Sequence, residues 1–216
     1  GQQELTMVQK HTVRAYDQEL NELRALISRM GGMAEAQIDA SIDALTHRYA
    51  ETALQIVEKD KLIDDMEAEA EKLAIQMIAL RAPMADDLRD IIAAMKISSI
   101  LERTGDYAKN IAKRTTVLAS SEHVEAMGII PQMARMVSQM LKDVIDAFID
   151  RDSERALLIR ERDKEVDDLY NALFRELLTH MMENTRTITP ATHLLFVAKN
   201  LERVGDHATN IAEIIY

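Results

Sequence analysis

The stretch LERTGDYAKNIA at residues 101–112 returns as LERVGDHATNIA at residues 201–212, with nine of twelve places identical. Shared helical composition alone does not produce a match of that kind, and an internal repeat governs how every other motif is read. Working outward, EKDKLIDD at 58–65 corresponds to ERDKEVDD at 161–168, and IDASID at 38–43 resembles IDAFID at 145–150. The three matches keep their order at separations of 103, 107 and 100 residues for the acidic, IDA and LER motifs respectively, so the second half reads as a copy of the first.

Apolar residues recur at helical spacing through most of the chain, and three prolines punctuate the pattern: Pro83, Pro131 and Pro190. The periodicity predicts six helices, at 17–47, 51–81, 84–119, 130–149, 152–183 and 189–216, with Thr189 as N-cap and Pro190 at the first helical position of the last. Gly31-Gly32 costs the first helix about 1 kcal/mol per glycine relative to alanine and marks either a bend or a close packing point. Short connections favour antiparallel neighbours. The expected fold is therefore all-α, a tandem duplication of two antiparallel three-helix bundles. The first covers residues 1–120 and the second 121–216, with 120–128 as the boundary.

Composition narrows the functional classes. The 216 residues include only six Gly and three Pro, too little turn chemistry for an all-β architecture. Lys plus Arg number 26 against 37 Asp plus Glu, a net charge of -11 that argues against a nucleic-acid partner. Absence of Cys excludes disulfides, thiolate metal sites and a Cys nucleophile, and suits a reducing compartment. The opening residues carry no signal-like apolar stretch, and no segment approaches the ~18 apolar residues of a membrane span. A cytoplasmic protein without direct membrane insertion is expected.

Within each repeat, Glu102 and Asp106, or Glu202 and Asp206, sit four apart on one helical face, with Asn110 or Asn210 one turn further. Asp60 with Asp64, and Asp163 with Asp167, repeat the spacing on the preceding helix. In an antiparallel hairpin, residues equidistant from the turn face each other. Asp64 and Glu102 are equidistant from Pro83, and so are Asp60 and Asp106. About the point between Asn184 and Thr185, Asp167 faces Glu202 and Asp163 faces Asp206. With axes about 8–10 Å apart, each set of four acids can converge on a common ion.

The apolar stripe of Ile97, Ile100, Leu101, Thr104, Ala108 and Ile111 lies opposite the acids, while Leu62, Met66, Leu73 and Met77 are expected inside, with Asp60 and Asp64 on a flank. That places the acids in a surface groove. Gly105 and Gly205 would let a backbone or a hydrated cluster come close. An all-oxygen ligand set favours hard cations such as Mg, Mn, Ca or ferric iron. A ferritin-like centre would need Glu-x-x-His, and the residue three after each motif Glu is glycine. No P-loop or Ser-His-Asp set occurs, so no enzyme activity and no catalytic residue are expected.

The repeated LER-x-GD-x-A-x-NIA segments, the D-x-x-x-D pairs one helix earlier, and RAPMADDLR at 81–89 resemble the PhoU family of phosphate-transport regulators across nearly the whole chain. The resemblance implies tandem three-helix bundles whose acidic motifs bind multinuclear metal clusters, often iron; the oxygen ligands themselves leave Mn or Mg as other candidates. Matched residue by residue, Asp60, Asp64, Glu102 and Asp106 would form one site and Asp163, Asp167, Glu202 and Asp206 the other, supported by Asn110 and Asn210. It further implies a negative regulator of phosphate uptake and of the phosphate-starvation response, peripheral to the membrane. Its partners would be the ATPase subunit of the phosphate ABC transporter and a sensor histidine kinase, and a homodimer is expected. A metal-independent helical interaction module is the alternative.

Overall fold

The computed structural model describes residues 2–121 and 128–216, so the larger part of the expected boundary, residues 122–127, lies outside the described residues. Six helices follow in order: α1 (Gln2–His47), α2 (Ala50–Arg81), α3 (Ala85–Leu118), α4 (Ile129–Asp150), α5 (Ser153–Glu183) and α6 (Ile188–Ile215). A 3-10 turn, Thr185–Thr187, precedes α6, and no strand occurs among the described residues.

α1 begins at Gln2, well before the expected residue 17. Every described side chain from Glu4 to Arg14 is exposed, and the first buried residue is Leu20. A segment that buries nothing carries no apolar period, so periodicity alone misses it. From Leu20 onward, Leu23, Ile27, Met30, Ala34, Ile38, Ile42 and Leu45 recur every three or four residues and are buried. At α6 the expected cap is also corrected. The helix starts at Ile188, with Thr187 at the N-cap and Pro190 in the third helical position, where its missing N–H is one of the unpaired donors of the first turn. The Thr187 hydroxyl turns back instead, donating to the carbonyls of Asn184 at 2.6 Å and His180 at 3.0 Å.

The repeat is visible in the turns. Arg48 after α1 and Arg151 after α4 both adopt left-handed backbone, with φ 57° and 54°, and Ala82 does so before Pro83 with φ 44°. Each half folds as three mutually packed helices, α1 with α2 and α3, then α4 with α5 and α6. The halves then pack on each other through α1 against α4 and α3 against α6, and one continuous apolar cluster runs through both. Gly31 resolves as a packing point: a Cβ there would lie 3.0 Å from Ile145 of α4, whereas Gly32 faces open space. Polar contacts also cross between halves. Ser138 donates to Asp39 at 2.8 Å, and Tyr107 stacks on His207 with ring centroids 5.2 Å apart.

Candidate metal centres

Antiparallel packing of α2 on α3 brings together Asp60, Asp64 and Asp106, one carboxylate oxygen of each lying within 4.8 Å of the others. The packing of α5 on α6 does the same with Asp163, Asp167 and Asp206. Glu102 lies within hydrogen-bond reach of Asp64 and Asp106, Glu202 within reach of Asp167, and Asp163 within reach of Asp206. The pairs read from distance to each turn are thus neighbours in space.

Burial differs from the flank expected. Asp60 is only 3% exposed, and Leu62, expected inside, is 51% exposed; Ile56, Ile63, Met66, Ala70, Ala74 and Met77 line the buried side of α2. The helix is rotated so that one acid of the pair enters the interior and the other stays at the rim. The glycines make that possible. Asp60 Oδ1 sits 3.3 Å from where a Cβ of Gly105 would be, and Asp163 Oδ1 3.1 Å from that of Gly205. What the missing side chain admits is therefore the neighbouring carboxylate, rather than backbone or a cluster from solvent.

Carboxylates this close share protons or find cations. Burial, the hydrogen bond with Asp64 and the charge of Asp106 push Glu102 up from 4.5 to about 8. Burial and the charges of Asp206 and Asp167 push Asp163 up from 3.8 to about 7. Asp60 and Asp167 are raised as well, again first by burial and then by the neighbouring acids. Each centre also has one lysine: Lys109 stands 3.5 Å from Asp60, and Lys199 forms an ion pair with Glu202. Even so, Asp60 Oδ1 and Asp163 Oδ1 are buried without a hydrogen-bond partner. A hard cation fits such a donor set: oxygen ligands, excess negative charge, and one orphaned buried oxygen per centre.

Asn110 and Asn210 do not join the acids in the described contacts. Asn110 lines a separate hollow with Lys113, Arg114, Val117 and Phe196, and Asn210 is exposed. Residues that the motif reading missed are Glu67, whose carboxyl is raised by burial and by Glu71, Asp64 and Asp106, and the two lysines. Lys109 and Lys199 were visible as positions three from Asp106 and Glu202, one helical turn away. His207 hydrogen-bonds Tyr107 at 2.9 Å across the two halves and takes no part in the acid cluster.

Comparison with known proteins gives a consistent set of relatives. A family model described as the PhoU domain matches twice, at residues 27–115 and 130–215. A phosphate-specific transport system accessory protein PhoU homolog of Zymomonas mobilis is 56% identical over 206 residues, spanning 95% of this chain and 87% of that protein. The corresponding protein of Caulobacter vibrioides is 51% identical, spanning 96% and 90%. The crystal structure of PhoU from Pseudomonas aeruginosa superposes with a TM-score of 0.89 at 35% identity, covering 93% of this chain and 96% of that one.

Proposed function

This chain belongs to the PhoU family, and we propose that it works as an accessory protein of phosphate transport whose two acidic centres hold hard metal ions and thereby shape a docking surface. The observation that carries the reading is the twofold recurrence of a carboxylate triad, each with its oxygens within 4.8 Å and each on the same pair of helices of its repeat. An ion bound there neutralises acids that otherwise repel or trap protons. Because the acids that would hold it come from α2 and α3, and from α5 and α6, binding would join the helices of each pair. The ion supplies charge and rigidity, while Asp64, Glu102 and their counterparts at the rim present the bound site to a partner.

In this account the protein is cytoplasmic and peripheral, and acts as a negative regulator of the phosphate-starvation response. It docks on the ATPase subunit of the phosphate ABC transporter and on the sensor histidine kinase, favouring the kinase's inactive state through differential affinity for it. It performs no catalysis. The double variant Asp106→Asn with Asp206→Asn is expected to lose bound metal by elemental analysis and to weaken kinase capture at least tenfold. Loss of metal with unchanged capture would rule out metal-dependent docking.

One observation favours a second reading. Glu102 is raised to about 8 and Asp163 to about 7, so both would bind protons near neutral pH, and with Lys109 and Lys199 as internal counter-ions that would hold the centres together without metal. The chain would then be a metal-independent interaction module, and partner capture would persist in chelator.

A further inference from the structure

Gln37 of α1 is 7% exposed, and neither its carbonyl oxygen nor its amide nitrogen has a hydrogen-bond partner. A buried primary amide with both ends unpaired forfeits the hydrogen bonds it would make in water, which destabilises the metal-free fold. Its position identifies what it faces. Gln37 Oε1 lies 3.5 Å from the Cβ position of Gly105, the same spot that Asp60 Oδ1 approaches to 3.3 Å. Two orphaned polar groups from α1 and α2 therefore meet over one glycine of α3. The sequence contains the same geometry, because Gln37 and Asp60 are equidistant from the Arg48–Tyr49 turn.

The second half lacks this group. The residue equidistant with Asp163 from the Arg151–Asp152 turn is Met140, fully buried, and the α4 side chain beside Gly205 is Val137, 3.5 Å from its Cβ position. Neither offers oxygen to a hard cation, and a thioether suits soft metals. The counter-ions also differ. Lys109 pairs with the buried Asp60, while in the second half Lys199 pairs with the more peripheral Glu202.

We propose that the two centres are unequal, and that Gln37 belongs to the first as a third-helix ligand. It binds a hard cation through Oε1, or an ion-bound water through either end, so that the first centre fills before the second. This rests on the metal reading above but adds to it: equal centres without Gln37 would satisfy that reading and contradict this one. An amide carbonyl adds a neutral oxygen without adding charge repulsion to an already crowded set. The same contact makes α1, the helix that packs against α4 of the other half, sensitive to occupancy of the first centre.

The test is calorimetric titration of chelator-stripped full-length protein with manganese(II) alone. Two affinity classes at least tenfold apart are expected, and Asp163→Asn with Asp167→Asn should remove the weaker class. Gln37→Met, which gives the first centre the second's residue, should drop the tight class by tenfold or more; Met140→Gln should tighten the weak one. Metal-free Gln37→Met should melt at or above the wild-type temperature, because it removes an unsatisfied amide. A single affinity class, a tight class untouched by Gln37→Met, or a lower melting point for the metal-free variant would each overturn the proposal. Absence of any manganese binding would overturn the metal reading itself, and this proposal with it.

Discussion

Gly105 and Gly205 are the residues on which the geometry of the centres turns. In mid-helix each costs about 1 kcal/mol against alanine, and each stands where a carboxylate oxygen of the preceding helix, joined at Gly105 by Ile63 Cδ1, takes up the space of a side chain. Alanine at either place improves helix propensity while crowding the acid. Gly105→Ala would push Ile63 and Asp60, and Gly205→Ala would push Asp163, so stability of the metal-free protein should change by no more than about 1 kcal/mol. Metal affinity of the altered centre should fall at least tenfold, read by titration, and that of the other centre should change far less. The same residues give the metal-free protein an unusual dependence on pH. Burial first, and then Asp64, Asp106 and Glu67, raise Glu102 from 4.5 to about 8; burial, Asp206, Asp167 and Glu202 raise Asp163 from 3.8 to about 7. A raised folded-state value means that the contribution to stability is whole below about pH 4 and is lost as pH climbs to 7 and 8. Lys109 opposes the rise at Asp60 and Lys199 that at Asp167, and both acids stay raised. The melting temperature of chelated protein should therefore decline between pH 5 and pH 9, and excess manganese should flatten that decline.

At the scale of helices, register is what the repeat specifies most sharply. Distance from Pro83 placed Asp64 by Glu102 and Asp60 by Asp106 because two stiff helices joined by a three-residue turn have little freedom to slip. The rotation of α2 about its own axis was not legible in the same way. Asp60 and Leu62 exchange the environments that hydropathy assigns them, since a glycine's vacancy admits the Asp60 carboxylate and Lys109 of α3 pairs with it. The leading turns of α1 escaped notice for the opposite reason: residues that bury nothing leave no periodic trace. Gln37 could have been found, because the α1–α2 turn obeys the same distance rule as the α2–α3 turn. Its partner is an acid rather than an apolar residue, so hydrophobic patterning gave no reason to apply the rule. Gly31 and Gly32 offer a matched test of helix packing. Gly32→Ala enters open space and should stabilise by about 1 kcal/mol, whereas Gly31→Ala meets Ile145 at 3.0 Å and should destabilise by about 1–3 kcal/mol. Thermal unfolding of the two variants checks both signs.

For the molecule as a whole, duplication yields two similar centres on one body. The shared core, the Gly31–Ile145 contact and the Tyr107–His207 stack join the halves, so a change in one centre acts on a unit rather than on a loosely tethered module. The chain carries 37 acids against 26 bases, and six of those acids form the two triads, where a cation would convert repulsion into a cross-link between helices. In the function proposed above, metal occupancy would give that surface two forms, one rigid and one loosened by repulsion among its acids. The most direct measurement is anomalous diffraction at the manganese edge from crystals grown with manganese and without chelator. Anomalous peaks between Asp60, Asp64 and Asp106, and between Asp163, Asp167 and Asp206, are the result this account predicts. Well-ordered carboxylates with no anomalous density between them, at saturating manganese, would contradict it.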